Sequence, residues 1–274
     1  MEKSGPRHWL LSGIFGLFIV FLYGPTITIF ILSFQGPDGG LTFPMRGVSL
    51  RWFANLFETQ MVGDFGGSLE RSLSLALIVM GLTVLIALLA GLAFRRKFLG
   101  ASVLFYLSIA SLIVPSILVS LGIGLMFNVA GLQPGWWSSA LGAHLTWTLP
   151  FGVLIMFAVF NRFDHRLEEA ALDLGATPWQ SLRFVVLPLI APSLVGVALF
   201  GFSLSYDEFA RTVMTAGSDN TLPLEIFAMT TNVTTPVLYA LGTLTTAFSL
   251  GLVVIVTLLV LAMRRRRRMA APAG

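Results

Sequence analysis

Glu168–Pro192, EEAALDLGATPWQSLRFVVLPLIAP, is the stretch around which the rest of the chain is organised. It lies between strongly apolar runs and reads as two short helices hinged at a glycine. Glu168, Ala170, Ala171, Leu172 and Leu174 are good helix formers. Gly175 then stands where a helix C-terminus favours a residue free to adopt positive φ. Thr177, Pro178 and Gln180 follow in the order N-cap, first helical residue and capping-box partner. Leu187-Pro188 opens the next apolar run. Small Ala170 and Ala171 on one face suit a segment that seats in a groove of another protein.

The surroundings make this an aqueous loop of a membrane protein. Of 274 residues 56% are hydrophobic and 11% charged, and the mean hydropathy is +0.87, more apolar surface than a soluble domain of this length needs. Six apolar segments are long enough to cross a hydrocarbon core, at about 10–34, 72–94, 103–128, 139–160, 187–209 and 237–263, given ~20 residues per crossing. Their lengths predict helices, so the fold class is all-α: a polytopic membrane protein of six transmembrane helices forming one domain over 1–274, with a loop at 161–186. The first segment is longer than a signal-peptide core and is expected to remain as a span. Tyr23-Gly24-Pro25 predicts a kink in it.

With the N-terminus inside, thirteen of the seventeen Lys and Arg residues fall on the cytoplasmic side, Arg95, Arg96, Lys97 and Arg264–Arg268 among them. The outer side keeps Arg46, Arg51, Arg71 and Arg211. That asymmetry predicts both termini in the cytoplasm and a multi-pass protein of a bacterial inner membrane. Basic residues flank apolar runs instead of forming a patch, which argues against nucleic acid as a partner; membrane lipids are the expected surroundings. Gly81, Ala87, Ala90 and Gly91 in the second span permit close helix packing. A short interfacial helix is expected around Leu50–Phe53, and a short re-entrant or surface-lying piece around GSDNTLPLEIFAM. The tail MAAPAG is expected to lack order.

Chemistry on this chain is hard to find. There is no cysteine, no GxxxxGK[ST], no GxSxG and no HExxH, so no P-loop hydrolysis and no enzyme or metal constellation is indicated. Pro115 frees a carbonyl in the third span; a simple kink and a bend into a water-filled path both fit. Asp207 and Glu208 sit near the end of the fifth span, where carboxylates should face a cavity or a polar partner. They are candidates for meeting a cationic substrate, with Trp147 as a cation–π face and His144 nearby. A structural alternative pairs either carboxylate with Arg211, at i+4 or i+3.

The opening stretch also carries a resemblance. Glu169-Ala170-Ala171, three residues, Gly175, nine residues, then Val185-x-Leu187-Pro188 resembles the EAA-x3-G-x9-I-x-LP motif, with Val in place of Ile. That motif marks permease subunits of binding-protein-dependent ATP-binding-cassette importers of the type I fold. The runs Ile113–Phe127, DLGATP, SYDEF and TLPLEIF look like the second permease of the spermidine/putrescine importer class. The resemblance implies a non-catalytic subunit with no cofactor of its own. It implies two ATPase subunits holding ATP and Mg, a second homologous permease and a periplasmic substrate-binding protein. Glu169, Ala170, Ala171, Gly175 and Pro188 would form the ATPase-coupling helix region. Trp179 would be an apolar anchor in the ATPase groove, or else an interfacial aromatic facing headgroups. The substrate would be a polyamine or a similar small polar solute. A secondary transporter or channel without an ATPase is the competing class; it needs a charge network inside the spans, which are almost bare of charge.

Overall fold

A computed structural model describes residues 6–58, 63–96, 98–232 and 235–270. Lys3, Lys97 and residues 271–274 of the tail lie outside it. The chain forms two compact units, Met1–Phe65 with Ile226–Gly274, and Gly66–Glu225.

In the first unit α1 (Pro6–Leu32) packs against α11 (Val237–Ala270). The apolar side chains of α1 are largely exposed, as suits a helix whose solvent is lipid. It runs as one helix through Pro25. The last helix continues to Ala270, so Met269 and Ala270 of the expected disordered tail are helical. Between α1 and α2 (Arg51–Asn55) the loop closes around Gln35, which is fully buried. Its side-chain carbonyl accepts from Arg46 N–H at 2.8 Å, its amide donates to Gly40 O at 3.1 Å, and its backbone carbonyl accepts from Trp52 Nε1 at 2.6 Å. Gly36 sits so close to this turn that a Cβ would lie 1.8 Å from Arg46 O. Tyr239 of α11 donates its hydroxyl to Leu41 O at 2.5 Å. The short helix expected near Leu50–Phe53 is α2.

The second unit holds the remaining spans. They are α3 (Phe65–Phe94, its first residue belonging to the other unit), α4 (Ala101–Ala110), α5 (Ser116–Val129), α6 (Ser139–Asn161) and α9 (Leu187–Tyr206). One cluster joins α3, α6 and α9 through Ala87, Met156, Phe160, Val186, Ile190 and Val197. Lipid is as apolar as these side chains, so close van der Waals contact and interhelical hydrogen bonds hold the spans together. Thr83 and Thr148 supply one such bond at 2.8 Å. Gly152 supplies the close contact: a Cβ there would stand 2.9 Å from Ala87 Cβ and 3.1 Å from Thr83 Cγ2. Of the small residues expected to pack in α3, Ala87 and Gly91 are buried, whereas Gly81 faces open space.

One expectation is corrected. The third span is two helices, not one bent helix over 103–128; the chain leaves the helix at Ser111 and re-enters at Ser116, because Pro115 has no N–H and would clash with the carbonyl four residues back. The piece after the fifth span, expected to be re-entrant or surface-lying, is α10 (Leu222–Asn232); it buries Leu222 and Leu224, and Leu222 N–H donates to Ser72 Oγ at 2.8 Å.

Gly152→Ala is expected to cost about 1–3 kcal/mol through overpacking, seen as a lower unfolding midpoint in detergent. Gly142→Ala, on the same helix with nothing within 4 Å of its Cβ position, is the matched control and is expected to leave the midpoint unchanged or slightly raised.

Candidate functional site

Two places gather the residues singled out in the sequence, and both lie within the Gly66–Glu225 unit. The first is the α6–α9 connection. α7 (Arg166–Asp173) carries Glu168 and Glu169 in its first turn, where carboxylates meet the positive end of the helix dipole. Gly175 terminates it at φ +87°, a conformation in which any side chain would be strained. α8 (Pro178–Ser181) begins with the full capping box: Thr177 Oγ1 accepts from Gln180 N–H at 3.3 Å, and Gln180 Oε1 accepts from Thr177 N–H at 2.8 Å. The two helices hinged at a glycine are therefore present. The second does not stop before the span, however. A π-turn at Leu182–Val186 joins α8 to α9, so the chain is helical from Pro178 to Tyr206 and Pro188 lies inside this continuous run.

Most of this connection is open to its surroundings, with Ser181 and Val186 turned into the bundle. α7 buries none of its residues, Glu169 and Ala170 are exposed, and Ala171 is half-buried. Leu174 is 89% exposed, Trp179 64% and Phe184 67%. Three large apolar side chains thus stand open on an otherwise polar segment.

The second place is the interior of the span bundle, and its centre is Arg211, which the sequence offered only as an ion-pair partner for Asp207 or Glu208. Arg211 is fully buried. Its Nη2 donates to Ser111 O at 3.2 Å, its Nε to Ser116 Oγ at 3.3 Å and its Nη1 to Thr146 Oγ1. Its guanidinium carbon lies 4.9 Å from the Trp147 ring centroid. Ser111 O is the carbonyl four residues before Pro115, the one a helix would have bonded to an N–H that proline lacks. Pro150 in α6 likewise frees Thr146 O, and Ser111 Oγ donates to it at 2.7 Å. One arginine and one serine thus fill the two acceptors that two prolines leave open.

The other predicted path residues settle around this centre. His144 is 1% exposed; its Nδ1 lies 2.8 Å from Ser205 Oγ and its Nε2 2.8 Å from Thr212 Oγ1. Thr212 spends its hydroxyl proton on Glu208 O at 2.6 Å, so the histidine is the donor there through Nε2–H. His144 therefore ties α6 to α9 and to the following turn, with both ring nitrogens engaged. Trp147 does offer a cation–π face, but the cation on it is Arg211. Glu208 meets Arg211 in a different way from the side-chain pair weighed above: its Oε1 accepts the Arg211 backbone N–H at 2.8 Å. Asp207, the first residue past α9, is exposed, and Glu208 is half-buried.

The sequence matches the family model of binding-protein-dependent transport system inner membrane components over residues 83–269. It is 31% identical over 251 residues to the spermidine/putrescine transport system permease protein PotC of Haemophilus influenzae, covering 91% of this chain and 95% of that one. It is 27% identical over 232 residues to the putrescine transport system permease protein PotI of Escherichia coli, covering 82% and 81%. In structure it is similar to a chain of a bacterial ABC transporter that imports the acidic polysaccharide alginate, with a TM-score of 0.68, 17% identity, and 96% and 98% of the two chains covered. A second structure of a bacterial alginate transporter, in complex with a periplasmic protein bound to an alginate pentasaccharide, gives 0.64 over 95% of each chain.

Arg211→Leu is expected to leave buried acceptors without a donor, at about 1–3 kcal/mol for each. Arg211→Lys, which has no planar fork to span Ser111, Ser116 and Thr146, is expected to recover only part of the loss. Thermal unfolding of the two purified variants in detergent checks both outcomes.

Proposed function

The chain belongs to the family of binding-protein-dependent transport system inner membrane components, and we propose that it is the polyamine path of an importer driven through its α7–α8 connection. It is a permease subunit, spans the membrane several times and carries no catalytic role of its own. The observation that carries the driving role is the exposed, apolar and conformationally defined connection on which Glu169-Ala170-Ala171-x3-Gly175 lies.

In this reading the connection faces the cytoplasm, with both termini on the same side. Two ATPase subunits holding ATP and Mg close beneath it, and a second, homologous permease completes the path. Glu169 offers an exposed carboxylate for charge-assisted hydrogen bonds. Ala170 and Ala171 allow the groove of an ATPase to approach. Trp179 is the aromatic anchor of the contact. Gly175 fixes the angle between α7 and α8, and Pro188 lies within the helical run that links α8 to the bundle. On the outer side a periplasmic binding protein delivers the substrate. The alginate transporter bound to its periplasmic protein is consistent with a partner of that kind, since the two chains share a fold.

Spermidine or putrescine as cargo is supported by the relatives, whose names carry those amines. Asp207 is the residue of choice for meeting them. It is the exposed carboxylate at the end of α9, whereas Glu208 uses one oxygen on its own backbone turn. His144 and Trp147 serve the path by holding its wall.

Gly175→Asp is expected to abolish ATP-driven spermidine uptake into proteoliposomes carrying the whole importer, with the permease still inserted, because an aspartate there strains the hinge. Glu169→Lys is expected to do the same by reversing charge at the ATPase contact; coupled uptake at the native level in both would remove the assignment. Asp207→Asn is expected to raise the KM for spermidine about tenfold, the equivalent of ~1.4 kcal/mol. Unchanged transport of every amine tested would take Asp207 out of the path.

A further inference from the structure

Arg95 follows the last residue of α3 and does more than mark a membrane boundary. Its side chain is only 14% exposed. The guanidinium carbon lies 5.2 Å from the ring centroid of Phe160, on α6, and 5.5 Å from that of Phe163. From this aromatic seat Nη2 reaches the Glu168 carboxylate on α7 and His165 Nδ1 at 3.0 Å. Arginine can only donate, so His165 presents an unprotonated Nδ1 to it. One turn earlier in α3, Gly91 lets the helix press on α6: a Cβ there would stand 2.8 Å from the Phe160 ring and 2.9 Å from Met156 Cβ.

Each charge of the pair also suits the helix end on which it stands. Arg95 is a cation at the C-terminus of α3, and Glu168 an anion in the first turn of α7. α7 otherwise buries no side chain, and its far end is the positive-φ turn at Gly175. Its other packing is against the π-turn and α8, on the far side of the Gly175 hinge. The grip of Arg95 on Glu168 adds a tie at the near end and binds α7 to two spans at once: α3 through the chain and α6 through the Phe160 ring.

We propose that Arg95 is a positioning residue that passes a displacement of α7 into α3 and α6, with Glu168 as the handle it holds. This rests on the reading above, in which ATPase subunits act on the α7–α8 connection. Neither residue belongs to the Glu169-Ala170-Ala171 signature, and their task differs from it: the signature meets the partner, while this pair ties the contacted helix to the spans. α8 needs no such tie, since the π-turn already makes it continuous with α9.

The test uses the whole importer in proteoliposomes with its binding protein, reading radiolabelled spermidine uptake per ATP hydrolysed. Arg95→Glu and Glu168→Arg are each expected to lower that ratio about tenfold in assembled complexes, and the double reversal to bring back part of it, since the pair attracts again while the aromatic seat and the helix ends favour the native order. A merely structural role would change assembly and leave the ratio alone. A Glu168→Arg complex with the native ratio, or a double reversal no better than the worse single one, overturns the proposal. A native complex without ATP-driven spermidine uptake would be a failure of the importer reading, and spin labels then decide the lever separately. The chain has no cysteine, so Leu167→Cys on α7 and Leu89→Cys on α3, both exposed, can be labelled cleanly. Their separation in the complex is expected to stay constant between nucleotide-free and ATP-bound states, and to shift with ATP once Arg95→Gln is added. A separation that shifts in the Arg95 complex overturns the proposal, as does one that stays constant with Arg95→Gln.

Discussion

A backbone carbonyl in hydrocarbon has no water to turn to, and a proline in a span always leaves one open. The Gly66–Glu225 unit is arranged around two such carbonyls, Ser111 O before Pro115 and Thr146 O before Pro150. Arg211 and Ser111 Oγ fill them. The guanidinium that does this must come from the turn after α9, so that turn is drawn inward between α5 and α6. The chain accommodates it closely. Met214 N–H donates to Ser120 Oγ at 3.0 Å, and Ser139 Oγ donates to Thr215 O at 2.6 Å. Gly124 leaves room where a Cβ would lie 2.7 Å from Met214 O. Gly217, at φ +73°, turns the chain where a Cβ would lie 2.3 Å from Pro134 O. The broken third span, the buried arginine and the inward turn are one solution to one deficit.

What the sequence made legible was local. A capping box, a helix-ending glycine and a first-turn proline act within a few residues, so α7, Gly175 and α8 could be read from their letters. The span positions were legible because hydrocarbon demands long apolar runs. The π-turn had no signal in the spacing: Leu182–Val186 is a short run of apolar residues around Arg183, continuous with the span. Arg211 was legible only as one of four basic residues outside, near two carboxylates. Its true partners stand about one hundred residues earlier, at Ser111 and Ser116, and no spacing rule connects them. Arg95 was hidden in the same way, since its position at the end of a span is where topology alone would put a positive charge.

The wall of the bundle and the surface that faces a partner use charge differently. In the wall, Arg211 meets neutral oxygens and an aromatic ring, and His144 has both nitrogens engaged, so the polar groups there hold shape. On the α6–α9 connection, Glu169 and the apolar Leu174, Trp179 and Phe184 stay open. Arg95 stands between the two regimes, mostly buried in its aromatic seat yet reaching to a carboxylate on the open helix. That placement suits a family whose members are worked by other subunits: the fold reserves its unsatisfied surface for contact and spends its internal polar groups on stiffness.

The Gln35 turn has a bearing on how the α1–α2 loop would meet another molecule. A loop that has already lost its conformational freedom on folding has no further ordering entropy to lose on contact. With Gln35 bonded to three stretches of its own loop and Tyr239 holding Leu41, the segment between α1 and α2 presents a fixed relief. Encounter with a soluble partner there would be governed by diffusion and shape, with little time lost to refolding of the surface. Such a contact can be brief and frequent.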